Sequence, residues 1–329
     1  MNTKKIRRIF LVNFILIIAI LLYGCKKDSE IEENKINILN GAIAIEDSGQ
    51  YKIYNLINNK YEKVDTEYII TSYDLKSGSF IYSENGEYKI KHSGKEELIE
   101  DNKTVISPKL SENGKYVAYF TKEVYLNLKL KDLVNNEEVS INSNVAISGS
   151  LMDWLDEKNL VYYGVDNNKN NGLFIYNIEE KQEKLLYKID LGYVEFLKGL
   201  DNGVVFLQEK EGKQKIFKII DSSGKAIDII ENVMDVSDVE VTSQGIFILG
   251  KLQDNNYSLY KINDGKAKRL VYDFPKLINL DKGLSKDKNG NIIFIGGDIP
   301  NQEKIYVCED DAISTIHESS GSYNFIDCN

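Results

Sequence analysis

The chain contains few of the side chains that carry out acid–base, nucleophilic or metal chemistry. Among its 329 residues are two histidines, His92 and His317, and three cysteines, Cys25, Cys308 and Cys328. A Ser-His-Asp centre needs a histidine, and zinc or copper sites need His and Cys at short spacing. Neither histidine lies in such a motif. Strand alternation places His92 on an outward surface, and His317 falls on the expected outer strand of the last repeat, a solvated edge. We therefore predict a protein that is not an enzyme and that binds no cofactor or metal.

Carboxylates are the remaining route to catalysis. The chain has 51 Asp and Glu against 41 Lys and Arg, for a net charge of −10. Glycosidases use a pair of acids at a defined separation. No pair stands out here, so a glycan-active lyase or hydrolase stays open as the alternative function. The acidic balance disfavours nucleic acid as a partner, because no basic excess exists to meet phosphates.

The polar stretch at residues 166–172 places side-chain oxygens at alternate positions, as calcium loops do. An EF-hand loop would also need Gly at its sixth position and Glu at its twelfth, where this chain has Asn171 and Asn177. We therefore predict a long hairpin loop. For Cys308 we predict a buried free thiol, with a Cys308–Cys328 disulfide as the alternative that export would permit.

The first 24 residues have the pattern of an export signal. Lys4, Lys5, Arg7 and Arg8 precede an apolar run over residues 9–22 that only Asn13 interrupts. These fourteen residues, at a rise of ~1.5 Å each, span about 21 Å as a helix, which is short of the ~30 Å hydrocarbon layer. A removable signal is therefore favoured over a permanent membrane-spanning helix.

The sequence Leu22-Tyr23-Gly24-Cys25 resembles the lipobox of bacterial lipoproteins. That resemblance implies a signal peptide over residues 1–24 and a diacylglycerol group on Cys25, which two acyl chains would anchor stably. It places the protein on the extracytoplasmic face of the cell membrane. Residues 25–37 then form a lipidated and charged tether, and residues 38–329 form the folded domain.

The folded domain is built from repeats of short alternating strands. A strand of the type Tyr-Lys-Ile-Tyr recurs at residues 51–56, 88–91, 126–130, 173–178, 216–220, 257–262 and 304–308. A second apolar strand precedes each copy, at residues 42–45, 80–82, 116–120, 160–163, 204–207, 246–249 and 292–295. The mean repeat of about 42 residues matches a four-stranded propeller blade.

These repeats predict an all-β fold, a β-propeller of seven four-stranded blades, with six or eight blades as alternatives. The first repeat lacks an inner strand. Residues 324–327 resemble the inner-strand candidates at residues 153–156 and 195–197. We therefore expect the C-terminal strand to complete the first blade and close the ring, which would pair two otherwise free edges.

One repeat resembles a known family. Residues 108–119 are similar to the TolB-type propeller repeat, Ser-Pro-Asp-Gly-Lys followed by an apolar strand, with Glu112-Asn113 in place of Pro-Asp. Asn113-Gly114 keeps the turn, because both residues tolerate positive φ. The resemblance implies a propeller with a binding role at the cell envelope.

We predict a non-catalytic lipoprotein that binds a protein, peptide or glycan partner. Strand ends and the central mouth of propellers are the usual contact regions, and the candidate residues there are Tyr73, Asp153, Trp154, Asp166 and Tyr193. An assembly component without a small ligand is a third hypothesis. A broad apolar patch on one loop face would support it.

Overall fold

The alternating stretches form strands throughout the part of the chain that the structure describes. This computed structural model describes residues 36–100, 103–122, 124–200, 203–263, 265–300 and 302–329. The signal peptide, Cys25 and the tether up to residue 35 lie outside the described residues and stay predictions. Among the described residues, no helix has the length and apolar character needed to cross a membrane.

The strands form seven antiparallel blades, and the strand order in each runs from the ring centre outward. Blade 1 takes β1 (Ile43–Asp47), β2 (Gln50–Ile57) and β3 (Lys60–Lys63); blade 2 takes β4 (Ile69–Tyr73), β5 (Phe80–Glu84), β6 (Glu87–His92) and β7 (Lys95–Leu98); blade 3 takes β8 (Thr104–Leu110), β9 (Tyr116–Lys122), β10 (Leu126–Asp132) and β11 (Glu137–Glu138). Blade 4 takes β12 (Val145–Trp154), β13 (Asn159–Asp166), β14 (Asn171–Asn177) and β15 (Gln182–Lys188); blade 5 takes β16 (Tyr193–Leu200), β17 (Gly203–Glu209), β18 (Lys215–Asp221) and β19 (Ala226–Glu231).

The last two blades complete the set. Blade 6 takes β20 (Val233–Thr242), β21 (Gly245–Leu252), β22 (Tyr257–Asn263) and β23 (Lys266–Arg269); in blade 7, β24 (Leu277–Ile278) and β25 (Leu284–Lys286) share the inner position beside β26 (Ile292–Gly297), β27 (Lys304–Glu309) and β28 (Ala312–Glu318). Three single 3₁₀ turns, at Glu112–Gly114, Glu211–Lys213 and Leu280–Lys282, are the helical elements among the described residues. The predicted seven-bladed all-β propeller is confirmed.

The C-terminal strand closes the ring, as predicted. β29 (Ser322–Phe325) pairs antiparallel with β1, with Phe325 opposite Ile43, and is the inner strand of blade 1. The sequence did not predict the next strand, β30 (Asp327–Cys328). It pairs in parallel with β4, inside blade 2. The last residues therefore tie two blades rather than one.

The apolar core is divided among the blade interfaces. Each of seven buried clusters joins two neighbouring blades in the described chain. Alternation explains this arrangement, since Ile43 and Ile45 pack toward blade 7 while Ala44 packs toward blade 2. Burial of one large apolar side chain contributes about 1.5–3 kcal/mol. A blade alone would leave both of its faces in water.

The ring has two faces, which strand direction defines. Inner strands begin at the upper face, which also carries the loops between second and third strands. The lower face carries the turns from first to second and from third to fourth strands. Many lower turns are tight and polar, such as Asn58-Asn59 and Asn113-Gly114, whose φ angles are all positive. A Cβ at Gly114 would lie 2.4 Å from Ser77 Oγ, so both conformation and space require glycine there.

Candidate functional site

The five predicted contact residues do not form one site. Asp166 and Tyr193 lie at the upper face, because Asp166 ends the second strand of blade 4 and Tyr193 begins the inner strand of blade 5. Tyr73, Asp153 and Trp154 lie at the lower ends of inner strands. The two groups are therefore separated by the depth of the ring.

Tyr193 borders a cleft between blades 5 and 6. This open cleft has a volume of about 610 Å³. It is lined by Glu195, Lys215, Met234, Asp235, Lys251 and Tyr257. Tyr193 is 48% exposed and Tyr257 is 45% exposed. The Tyr193 hydroxyl donates to Glu195 at 3.4 Å, which turns the phenol toward the cleft wall. Half-exposed tyrosines beside polar groups are common anchors of binding surfaces.

Polar contacts hold the cleft walls. The Tyr257 hydroxyl donates to Asp235 Oδ2 at 3.0 Å, and this hydrogen bond to a carboxylate raises the pKa of the phenol. Lys251 Nζ lies 5.6 Å from the centre of the Tyr257 ring. Burial would lower the pKa of Lys215, but its hydrogen bond to Glu195 and the charges of Glu195, Glu209 and Asp235 together outweigh burial and raise that pKa. Lys215 therefore stays protonated at neutral pH, and Asp235 and Lys251 hold the Tyr257 ring in place.

The wider upper face is unusually apolar. Twelve of the seventeen large apolar side chains that are exposed in the described chain lie on it: Tyr51, Val124, Tyr125, Leu126, Val165, Leu191, Tyr193, Tyr257, Tyr272, Phe274, Leu277 and Ile299. Only Leu75 and Val134 of this set lie on the lower face, and the other three lie on outer strands. Exposed apolar residues grouped on one face mark interaction surfaces.

Blade 7 carries the densest part of this surface, which we call the blade 7 patch. It consists of Tyr272, Phe274, Leu277 and Ile299, exposed by 63%, 49%, 45% and 56%. Leu277 pairs with Gly297, two residues before Ile299, so Leu277 and Ile299 lie close together, and Tyr272 and Phe274 lie on the loop just before Leu277. Their chemistry suits a partner with an apolar surface of its own.

Tyr73 is buried and cannot meet a partner from solution. It is 2% exposed, and its hydroxyl donates to the carbonyl oxygen of Ile36 at 2.8 Å. Trp154 is half-buried, donates from Nε1 to the carbonyl oxygen of Lys109 at 3.0 Å and stacks on Tyr116. Both side chains join neighbouring segments of the ring.

Asp166 stabilises its own loop, which agrees with the predicted hairpin. Its carboxylate accepts hydrogen bonds of 2.8 Å from the backbone and side-chain nitrogens of Asn170. The Asn170 side chain, more than the backbone, holds the pKa of Asp166 below its usual range. No cluster of three or more His, Cys, Asp or Glu in the described residues could hold a metal ion.

Asp153 belongs to a chain of ionic contacts around the central channel. It forms an ion pair with Lys109 of blade 3 at 2.9 Å and accepts from the Gly199 amide of blade 5 at 3.0 Å. In the same way, Asp238 of blade 6 contacts Lys198 of blade 5 at 3.0 Å and accepts from the Leu284 amide of blade 7 at 2.8 Å. The channel acids therefore bridge consecutive blades.

The channel lysines remain protonated. Burial would lower the pKa of Lys198, but the carboxylates of Asp238 and Glu240 outweigh burial and hold it far above its usual range. Lys286 joins the same group through Glu240 at 3.2 Å. Asp327 behaves differently, since its dense surroundings raise its pKa although Lys109 acts to lower it. Its side chain nevertheless stays open to channel water.

The histidines differ from the prediction of solvated surfaces. His92 is half-buried, with Nδ1 2.8 Å from Ser79 Oγ, and His317 packs edge-on between Tyr61 and Tyr323. Burial lowers the pKa of both. His317 lies on the outer strand of blade 7, and Tyr61 and Tyr323 of blade 1 cover its ring.

Both described cysteines are free thiols, so the alternative disulfide is absent between them. Cys308 is buried in the core between blades 6 and 7, as predicted, whereas Cys328 packs between blades 1 and 2. Burial raises the pKa of Cys308 to about 11 and that of Cys328 to about 12. Both thiols are therefore poor nucleophiles at neutral pH.

Comparison with known proteins supports the fold alone. No protein-family model and no curated protein sequence matches the chain. Among solved structures it is similar to an oligogalacturonate lyase from Vibrio parahaemolyticus, with a TM-score of 0.50, 13% identity, and coverage of 87% of this chain and 86% of that one. A prolyl endopeptidase is similar with a TM-score of 0.54 and 10% identity, over 77% of this chain and 42% of the enzyme.

TolB from Acinetobacter baumannii is a further structural neighbour. Its TM-score is 0.46 and its identity 13%, over 88% of this chain and 79% of TolB. At such identities the neighbours share a β-propeller, and their activities are their own. The chain is therefore a seven-bladed β-propeller protein, with neighbours that include TolB and enzymes.

Proposed function

We propose that this protein is a membrane-anchored extracytoplasmic lipoprotein whose propeller binds a protein, peptide or glycan partner without catalysis. The observation that carries the proposal is the unequal distribution of exposed apolar side chains, twelve of which lie on the upper face. They are spread over several blades, which suits a macromolecule better than a small ligand. Among the three partner classes, we favour a protein.

The cleft between blades 5 and 6 is the proposed centre of contact. Tyr193 and Tyr257 offer rigid aromatic surfaces, and Asp235 and Lys251 surround them with polar groups. Aromatic anchors ringed by polar groups are typical of the residues that dominate binding energy. The channel acids support a non-catalytic role, because Asp153 and Asp238 are already engaged with lysines and backbone amides.

Cross-linking in intact cells, followed by purification and mass spectrometry, tests this proposal. We expect a partner cross-linked to upper-face lysines such as Lys210 and Lys213. The double variant Y193A/Y257A should reduce recovery of that partner by about tenfold or more, since central hot-spot residues each contribute about 2 kcal/mol or more. The matched lower-face variant L75A/V134A should leave recovery unchanged. Equal recovery from both variants would contradict the proposed site.

One observation favours the second candidate, a glycan-active enzyme. Asp327 has a raised pKa and is open to the channel, and a general acid in glycoside cleavage needs such a carboxyl. Incubation with a panel of polysaccharides, followed by assays for reducing ends and unsaturated products, tests it. We expect no product. If the protein forms product and D327N abolishes this activity, the function is catalysis rather than binding.

A further inference from the structure

The point where the tether joins the ring lies on the lower face. The carbonyl oxygen of Ile36 accepts from Tyr73, the last residue of an inner strand, and that of Asn37 accepts at 2.8 Å from Asn55, near the lower end of a third strand. Leu39 donates from its amide to Asn55 Oδ1 at 2.9 Å. The first described residues are thus fixed to the lower ends of blades 1 and 2.

The tether is short compared with the ring. Eleven Cα steps lead from Cys25 to Ile36, so the full extension of this segment is at most about 40 Å. A random coil of the same length would span about 18 Å on average. To bring the upper face to the bilayer, the tether would have to pass from the lower face around the outer edge. That route requires nearly its full extension and is therefore entropically unfavourable.

Charge also distinguishes the region of attachment. The lower turns of blades 1 and 2 at residues 58–60 and 93–95 read Asn-Asn-Lys and Ser-Gly-Lys, with exposed Lys60 and Lys95 and no acid. Lysines close to an anionic bilayer are attracted within a Debye length of about 10 Å. The chain as a whole carries a net charge of −10, so this local pair of turns differs from the average surface.

We propose that the lower face of the ring is its membrane-proximal surface, where the turns of blades 1 and 2 meet anionic lipid headgroups. The apolar upper face, with its cleft and the blade 7 patch, is then directed toward the aqueous medium. The inference rests on the proposed lipid anchor at Cys25. It adds the orientation of the ring and assigns the exposed aromatic residues to a partner in the medium rather than to the bilayer.

Two labels on blade 3 measure this orientation. Tyr125, 78% exposed, precedes β10 at the upper face, and Val134, 62% exposed, follows it at the lower face. Y125C and V134C therefore report from opposite ends of one seven-residue strand, about 20 Å or more apart at ~3.3 Å per residue. Cys308 is buried and Cys328 is half-buried. Their pKa values are raised to about 11 and about 12, so both should react poorly with a maleimide dye. Unsubstituted protein serves as the labelling control.

The experiment uses the full-length lipidated protein in vesicles that contain phosphatidylglycerol and an acceptor-labelled lipid. We expect energy transfer from the Val134 site to be at least about twofold more efficient, because the two positions differ by most of the strand length. Equal transfer, or stronger transfer from the Tyr125 site, would overturn the orientation while the anchor stands. Absence of transfer at both sites would overturn the anchor itself, and the orientation with it.

Charge reversal separates headgroup contact from tethering alone. K60E/K95E should reduce the difference between the two labels in phosphatidylglycerol vesicles and leave it unchanged in phosphatidylcholine vesicles. The control K210E/K213E alters the same number of charges on the upper face and should change neither. If K60E/K95E has no effect in anionic vesicles, the proposed headgroup contact is wrong.

Discussion

The two faces of the ring are built from the same strands but use their loops differently. On the lower face, several turns bind one another across blades: Asp74 is fully buried and accepts from the Ser77 amide at 2.6 Å and, one blade on, from the Asn113 amide at 3.0 Å. On the upper face, the loops differ in length and expose most of the large apolar side chains. The lower face therefore holds buried contacts between blades, whereas the upper face exposes apolar side chains.

The largest difference in stability is expected between variants of two isoleucines, one at the ring closure and one on the upper face. Ile326 is 1% exposed and its amide donates to the carbonyl oxygen of Ala42 at the closure of the ring, whereas Ile299 is 56% exposed on the upper face. We expect I326A to lower the free energy of unfolding by about 2–5 kcal/mol and I299A by about 0.5 kcal/mol or less. Urea unfolding of both variants measures this. Similar losses would show that the closure contributes little.

Two aspartates with similar local bonds provide the next test. Asp74 and Asp166 each accept hydrogen bonds from their own turns, but Asp74 also joins the next blade and is buried. D74A should cost about 2–3 kcal/mol, because it removes a fully buried carboxylate that accepts from two backbone amides. D166A should cost about 1 kcal/mol or less, since water replaces its bonds. Thermal unfolding of both variants decides whether the lower face is the structural one.

The smallest expected effect is a pH-dependent change in the free energy of unfolding. Asp311, on a lower turn of blade 7, accepts from Lys261 and Lys268 at 2.8 Å each, and these bonds hold its pKa below the usual range. A depressed carboxyl pKa adds stability above the unfolded value of about 3.9, and that stability is lost as pH falls through the folded pKa. D311N should therefore cost about 1 kcal/mol or less at neutral pH and progressively less below pH ~4.

The control for this titration is the neighbouring Asp310, which is exposed. Urea unfolding of D310N and D311N at neutral and acid pH gives the comparison. A cost of D311N that stays constant across this range would show that the carboxylate does not act through its charge. Loss of the same size in D310N would point to the turn rather than to the lysine contacts.

The second and third strands of every blade were predictable, whereas inner strands were predicted only in part, at residues 153–156, 195–197 and 324–327. Second and third strands alternate regularly and pair in register, as in blade 3. Inner strands contain register shifts, including one between Ile70 and Ser72 just before Tyr73. A shift of one residue moves following side chains to the opposite face of a strand. This is why Tyr73, predicted at the central mouth, lies in the core.

The channel contacts and the upper-face patches were missed for a different reason. Asp153 and Asp238 each bond an amide 46 residues further along the chain, about one blade away. Such pairs become visible only after inner strands are aligned. Tyr272 and Phe274 carried a usable signal, because they are aromatic residues between two strands, where a loop would otherwise be polar.

The pairing of β29 with β1 links residues about 280 positions apart, with Phe325 opposite Ile43. During synthesis the amino-terminal segments are made first, and the edge of β1 stays unpaired until β29 has followed. An unpaired edge invites aggregation. A polypeptide shortened by premature termination or proteolysis therefore lacks β29, the inner strand of blade 1. Its ring stays open, and proteases can reach the unpaired edge of β1.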